Sequence, residues 1–327
     1  MILFLKRNRC FFTWIWVVAV NESMEKFEIS ILGCGSALPT ARHLPTSQVV
    51  NIREKLFMID CGEGTQLQMR RNKLKFSNLN HIFISHLHGD HCFGLIGLIS
   101  TMGLLGRMAP LFIHAPAELE RLLKPQIDFF CHGIDFKIEF HPIDPTKNAI
   151  LYKDRSVTVS SIPLKHRMPC CGFLFEETPP MRHIIREMID FYRVPMAKIS
   201  AIKEGSDFVT EEGEIVPNER LTRDGGRARR YAYCSDTAYH EAIIPVIEGV
   251  DLLFHESTFM ETEAKRAEET FHSTVRQAAT IAQKAQVKRL IIGHYSSRYE
   301  DVVLFEKEAV AIFKNTHAVR ENELIRV

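Results

Sequence analysis

The chain has 327 residues, so one large domain or two modest ones is the expectation. A chain of that length buries about three quarters of its unfolded surface without disulfide staples. Its 46% hydrophobic and 25% charged residues exclude a disordered, collagenous or fibrous chain, and a net charge of +1 (41 Lys+Arg against 40 Asp+Glu) excludes polyanion binding through bulk charge.

Lys6, Arg7 and Arg9 precede an apolar run over 10–20 that holds both tryptophans, Trp14 and Trp16. The pattern is that of the basic and apolar regions of a signal peptide, too short for a membrane span, and no small-x-small cleavage site follows it. Met24 leads straight into a strand, so residues 1–23 are read as an extension that is untranslated or disordered, with an anchor or export signal as the alternative. The domain is expected over 24–327, with no membrane partner.

From there β-rich runs alternate with helical patterns. Strands are predicted over 27–32, 47–52 and 55–59, a short helix over 64–71, and a strand over 80–85 that ends in a histidine-rich loop. A helix over 94–105, a strand over 111–114 and a helix over 116–130 opened by Pro116 come next. Further strands are predicted over 136–140, 157–162 and 172–175. Residues 176–229 break the rhythm with a helical 181–192 and a Glu- and Arg-rich stretch, after which strands return at 230–234, 251–254 and 289–292. The pattern is a mixed α/β domain interrupted by one polar insertion.

The eight cysteines, Cys10, Cys34, Cys61, Cys92, Cys131, Cys170, Cys171 and Cys234, form no C-x-x-C. The vicinal pair Cys170–Cys171 is a poor disulfide by geometry, and scattered spacing suits a reducing cytoplasm. Cysteine-based zinc sites are not expected, which leaves metal chemistry to the 15 histidines.

The sharpest signal is Ser85-His86-Leu87-His88-Gly89-Asp90-His91, directly after an apolar strand. Imidazoles at i and i+2 followed by Asp and His put four donors on one tight loop, and neutral imidazole with carboxylate is what zinc and similar metals select. Gly89 is expected to let the backbone turn sharply enough to serve two metals. Four donors cannot saturate two metals, so further ligands are expected at later strand ends, where His166, Asp236 and His294 stand.

The set H-x-H-x-D-H, a distal His, an Asp and a final His resembles the metallo-β-lactamase superfamily. More closely, the chain resembles ribonuclease Z, the endonuclease family that removes the 3′ trailer of precursor tRNA, from about residue 26 to about residue 315. The stretches that carry the resemblance are Ile31-Leu-Gly-Cys-Gly-Ser-Ala-Leu-Pro-Thr40, Ile59-Asp-Cys-Gly-Glu-Gly-Thr-Gln66, the histidine loop, His272-Ser-Thr274 and His294-Tyr-Ser-Ser-Arg-Tyr299. It implies a four-layer αβ/βα sandwich, the metallo-β-lactamase fold, and two zinc ions per subunit, with manganese suited to the same donors. One ion would take His86, His88 and His166, the other Asp90, His91 and His294, with Asp236 bridging. Asp90 would orient or deprotonate the attacking water, His272 would protonate the departing 3′ oxygen, and Arg298 would pair with a phosphate. Asp60, His255 and Glu256 would support the site from behind, the last two by holding His272 or a ligand. Glu63 is assigned no role.

Ribonuclease Z carries a tRNA-gripping arm where residues 176–229 lie, and the resemblance implies a homodimer in which one subunit's arm assists the other's site. Met196-Ala197 stand where the family has Gly-Pro. Lys203, Arg220, Arg223 and Arg227 are the candidate RNA contacts, with Arg229 and Arg230 in the same cluster and Glu211, Glu212, Glu214 and Glu219 as balancing charge. Arg42-His43-Leu44 also departs from the family pattern. The competing readings are a small-molecule phosphodiesterase or sulfatase-like hydrolase on the same scaffold, and a non-catalytic metal-stabilised RNA-binding protein.

Overall fold

The computed structural model describes residues 26–327; the reading of residues 1–23 lies outside the described residues. Strands β1 (Phe27–Gly33), β2 (Ser47–Ile52) and β3 (Lys55–Ile59) are antiparallel neighbours, and β4 (Leu79–Phe83), β5 (Leu111–Pro116) and β6 (Ile138–Ile143) follow parallel to β3. The chain then starts a second sheet with the antiparallel run β7 (Ile150–Lys153), β8 (Val157–Pro163) and β9 (Cys171–Glu177).

An insertion follows. It holds β10 (His183–Ile184), β11 (Phe208–Val209), β12 (Ile215–Val216) and β13 (Thr222–Arg223), paired as β10–β13 and β11–β12, and short helices at Arg186–Phe191 and Ile199–Lys203. Ile189, Val194, Ile202, Phe208, Val216 and Leu221 give it a small core of its own. The second sheet resumes with β14 (Arg230–Cys234), antiparallel to β9, and continues in parallel through β15 (Leu252–Glu256), β16 (Leu290–Gly293) and β17 (Thr316–Ala318). Strand β18 (Leu324–Arg326) returns to pair antiparallel with β1, so each sheet has seven strands.

Strand alternation builds the layers. Phe27, Ile29 and Ile31 of β1 and Phe57 and Ile59 of β3 turn inward and join Val159, Phe173, Phe175 and Tyr231 of the second sheet. Leu56 and Met58 face the other way, against Leu95, Leu98, Ile99, Leu119 and Leu123 of helices Leu95–Leu104 and Glu118–Phe130. Helices Val275–Lys284 and Val303–Val310 cover the outer face of the second sheet with Ala278, Ile281, Ala282 and Phe305. The result is the four-layer αβ/βα sandwich expected from the sequence.

Pro116 does not open a helix: it ends β5 in register with Ile143, and the helix begins at Glu118. The helix expected over 181–192 shrinks to Arg186–Phe191, because His183 and Ile184 are drawn into a ladder with Arg223 and Thr222. Among the described residues, no helix is long and apolar enough to cross a membrane.

Candidate metal centre

The strand ends deliver the ligands. His86 and His88 lie on the loop after β4, and Asp90 and His91 lie in the short helix Gly89–Cys92. His166 follows β8, Asp236 follows β14 and His294 follows β16. Gly89 is not needed for an unusual turn, since it is absent from the positive-φ positions. A side chain there would meet the exposed Phe93 ring at 2.3 Å, and the ring would have to swing aside to admit it.

All seven predicted ligands converge. His86 Nε2 lies 2.9 Å from His88 Nδ1, which lies 3.4 Å from His166 Nε2, and Asp236 Oδ2 is 3.6 Å from His86 Nε2 and 3.8 Å from His166 Nε2. The other oxygen, Asp236 Oδ1, lies 3.2 Å from His294 Nε2 and 3.4 Å from His91 Nε2. Asp90 Oδ2 completes this second group at 3.5 Å from His91 and 3.7 Å from His294, and is itself held by the Ala37 N–H at 2.8 Å. Asp236 thus offers one oxygen to each group.

Hydrogen bonds behind the ligands set which ring nitrogen carries the lone pair. The carbonyl of Phe271 can only accept, so His166 donates from Nδ1 (2.8 Å) and turns a bare Nε2 inward. His91 donates from Nδ1 to Asp60 Oδ2 at 2.8 Å. Ser85 Oγ donates to Asp60 Oδ2 and so accepts from His86 Nδ1, both at 3.0 Å. Thr258 Oγ1 donates to Glu256 Oε2 (2.7 Å) and accepts from His294 Nδ1 (2.9 Å). Two buried carboxylates, Asp60 and Glu256, therefore fix three of the ligand imidazoles, His86, His91 and His294, and the neighbouring His272, directly or through one hydroxyl.

This donor set fits metal ions. The Nε2 atoms of His91 and His294 are buried and make no hydrogen bond, which is costly unless a cation takes the lone pairs. Burial holds the pKa values of His86, His88 and His166 below the ordinary histidine range, in the neutral form that ligates. Burial works against ionisation of Asp236, yet the facing His294, His91 and His86 outweigh it and lower its pKa. Asp60 and His294 also hold left-handed backbone, with φ of 54° and 64°, a strain of about 1–3 kcal/mol each that is characteristic of functional positions.

His272 stands beside the ligands, its ring 5.0 Å from that of His166 and 5.5 Å from that of His294. Burial alone would lower its pKa, but the Glu256 carboxylate 2.9 Å from Nδ1 prevails and raises it to about 9. Glu256 also accepts from the backbone N–H of Thr237, Thr258 and Ser273. Thr274, two residues on, caps helix Val275–Lys284 through a capping box with Gln277. His255 does not share the supporting role expected of it. Strand alternation sends its side chain to the opposite face from Glu256, and its Nδ1 donates to the Glu256 carbonyl at 2.7 Å.

Arg298 is exposed on the turn after His294, with no carboxylate partner among the described residues. The candidate RNA contacts lie elsewhere. Arg220 and Arg223 are exposed in the insertion, Arg220 over the Tyr192 ring, and Lys203 is half-buried. Arg227 is engaged in an ion pair with Asp251, and Arg229 with Glu177. Glu63 is exposed after the Asp60 turn. Sequence reasoning missed Ser85, Thr258 and the Ala37 N–H. Ser85 could have been noticed beside His86, whereas the other two are brought in only by the fold.

Two family models match the chain: one described as "Anti-Pycsar protein Apyc1" over residues 27–179 and one described as "Beta-lactamase superfamily domain" over residues 220–295. The chain is 64% identical over 293 residues to ribonuclease Z of Parabacteroides distasonis, a match covering 90% of this chain and 96% of that protein. It is 62% identical over 304 residues to ribonuclease Z of Bacteroides thetaiotaomicron, covering 93% and 96%. Among solved structures, the short form of human tRNase Z superposes with a TM-score of 0.67 at 22% identity, covering 92% of this chain and 99% of that one, a likeness of fold.

Proposed function

The chain belongs to the ribonuclease Z family, and from that premise we propose that its metal-dependent cleft cuts precursor tRNA 3′ to the discriminator nucleotide, releasing the trailer and leaving a 3′ hydroxyl. The observation that carries the reading is Asp236, whose two oxygens each face a separate trio of donors. His86, His88 and His166 would hold one zinc ion, and Asp90, His91 and His294 the other; manganese suits the same set. Two such ions, when bound, polarise the phosphodiester and make water a strong nucleophile at neutral pH.

The chain's own residues do the rest. Asp90, steadied by the Ala37 N–H, orients the attacking water and holds its proton. His272 has Nδ1 committed to Glu256, so Nε2 remains to protonate the departing 3′ oxygen, and the Glu256 carboxylate favours the protonated ring. Arg298 pairs with a substrate phosphate at the rim.

The insertion acts as the arm that grips the tRNA body. It is rooted at Glu177 and Arg229, whereas the metal ligand Asp236 follows the opposite end of β14. An arm leaving the far end of the sheet serves a partner's cleft better than its own, which supports a homodimer. Exposed Leu104, Met108, Leu122, Phe129 and Phe130, in and beside the outer helices of the first sheet, supply apolar surface for that contact. The seven described cysteines are free, in keeping with work in the reducing cytoplasm.

The reading is tested by incubating metal-loaded protein with a precursor tRNA bearing a 3′ trailer and mapping the cut. A cut after the discriminator that vanishes on chelation is expected. Metal-dependent hydrolysis of a small diester with no tRNA cut would favour the small-molecule hydrolase instead.

A further inference from the structure

We propose that Cys34, His43 and Glu321 form a separate metal site that takes an exchangeable, thiophilic divalent cation such as zinc. None of the three is among the ligands of the cleft. Cys34 Sγ lies 3.4 Å from His43 Nδ1, and Glu321 Oε2 and Oε1 lie 3.0 and 3.3 Å from that same nitrogen. With metal–ligand bonds of about 2.0–2.3 Å, the edges of a tetrahedral site are roughly 3.3–3.7 Å, near the spacings to His43 Nδ1, and all three donors lie within 4.8 Å of one another.

The arrangement is not that of a thiol nucleophile with its base and orienting acid. A triad places the nucleophile and the carboxylate on opposite ring nitrogens. Here both face the same nitrogen, Nδ1, so the three donors stand together on one side of the ring.

The donors are held before any ion arrives. Glu321 Oε1 accepts from the N–H of Leu44 at 2.9 Å and of Cys34 at 3.4 Å, which leaves Oε2 for a cation. The backbone of His43 is tied to Thr40 Oγ1 at 2.9 Å, and its ring packs 5.8 Å from that of Tyr295. Cys34 is buried, so binding exchanges its thiol proton for the metal rather than exposing a thiolate to water. Burial and the adjacent Glu321 keep that thiol protonated until then.

Three protein donors leave one position open. His43 borders a cavity of about 140 Å³ with Thr40, Arg42, Tyr295 and Ser297, from which water can supply the fourth ligand. Closed four-ligand sites are structural, whereas an open position permits exchange. Occupancy would fasten the segment from Cys34 to Leu44 to residue 321, and that segment carries the Ala37 N–H that holds Asp90.

Cobalt(II) tests this without reference to RNA. The proposed cleft ligands are nitrogen and oxygen only, so a thiolate-to-cobalt charge-transfer band in the near ultraviolet can come only from a sulfur site. Wild type is expected to show the band and to bind three metal ions per chain, whereas Cys34→Ser loses the band and binds two. Should Cys34→Ser fail to fold, Glu321→Gln keeps the sulfur and the shape, and is expected to shift the band to higher cobalt concentration. Absence of the band from folded wild type, its persistence in Cys34→Ser, or an unshifted titration in Glu321→Gln would each overturn the proposal.

Discussion

The cleft and the insertion are anchored on the same two strands, β9 and β14, yet they are built on opposite terms. At one end, Cys171 donates its N–H to the carbonyl of Ser85 while Asp236 follows Cys234, and the buried carboxylates Asp60 and Glu256 hold the side chains behind the ligands. At the other end the chain leaves for some fifty residues whose own core is six buried side chains and whose paired strands are two residues long. Its roots are tied down, by Arg229 forked onto Glu177 at 2.7 and 2.8 Å and by Arg227 and Lys288 on Asp251. On the proposed function the difference is a division of labour: chemistry needs atoms fixed to a fraction of an ångström, while gripping a large polyanion needs charge on a body that can adapt.

The sharpest break is Asp236→Ala. Losing the carboxylate that serves both donor trios should drop hydrolysis of tRNA and of a small diester to background together, with bound metal measured in parallel. Next is Glu256→Gln, which cannot accept the five hydrogen bonds that the carboxylate now takes. With His272 no longer held, kcat should fall by about 10²–10⁴-fold on both substrates while KM for tRNA stays put, as steady-state kinetics will read. The smallest effect on chemistry is expected from Leu221→Ala in the insertion's core. It should cost about 2–5 kcal/mol of local stability, seen as faster hydrogen exchange confined to residues 178–228, with small-diester hydrolysis unchanged.

The same contrast governs how much was legible in the sequence. His86, His88, Asp90 and His91 are contiguous and follow an apolar strand, so the centre was readable from spacing, and strand ends led to His166, Asp236 and His294. Strands 47–52, 55–59 and 230–234 match β2, β3 and β14 because alternation and turn residues bound them on both sides. By contrast β7, β17 and β18 went unpredicted: each has three or four residues, and each is specified by the neighbour it pairs with. The hydroxyl of Thr258 and the N–H of Ala37 had no local signature, since their value lies in what the fold sets beside them. Cys34 and Glu321 are 287 residues apart, so the sulfur site proposed above has no signature in cysteine spacing.

The division of labour is tested most directly by replacing residues 178–228 with a short turn. Glu177 and Arg229 are already joined, with the Glu177 N–H donating to the Arg229 carbonyl at 3.0 Å, so the sheet can close across the gap. The quantity to measure is kcat/KM on precursor tRNA and on a small chromogenic diester, in the same folded, metal-loaded preparation. Loss of tRNA cleavage with diester hydrolysis retained is the predicted result. Equal loss on both substrates would contradict the account, by showing that the insertion is part of the catalytic body rather than its grip on RNA.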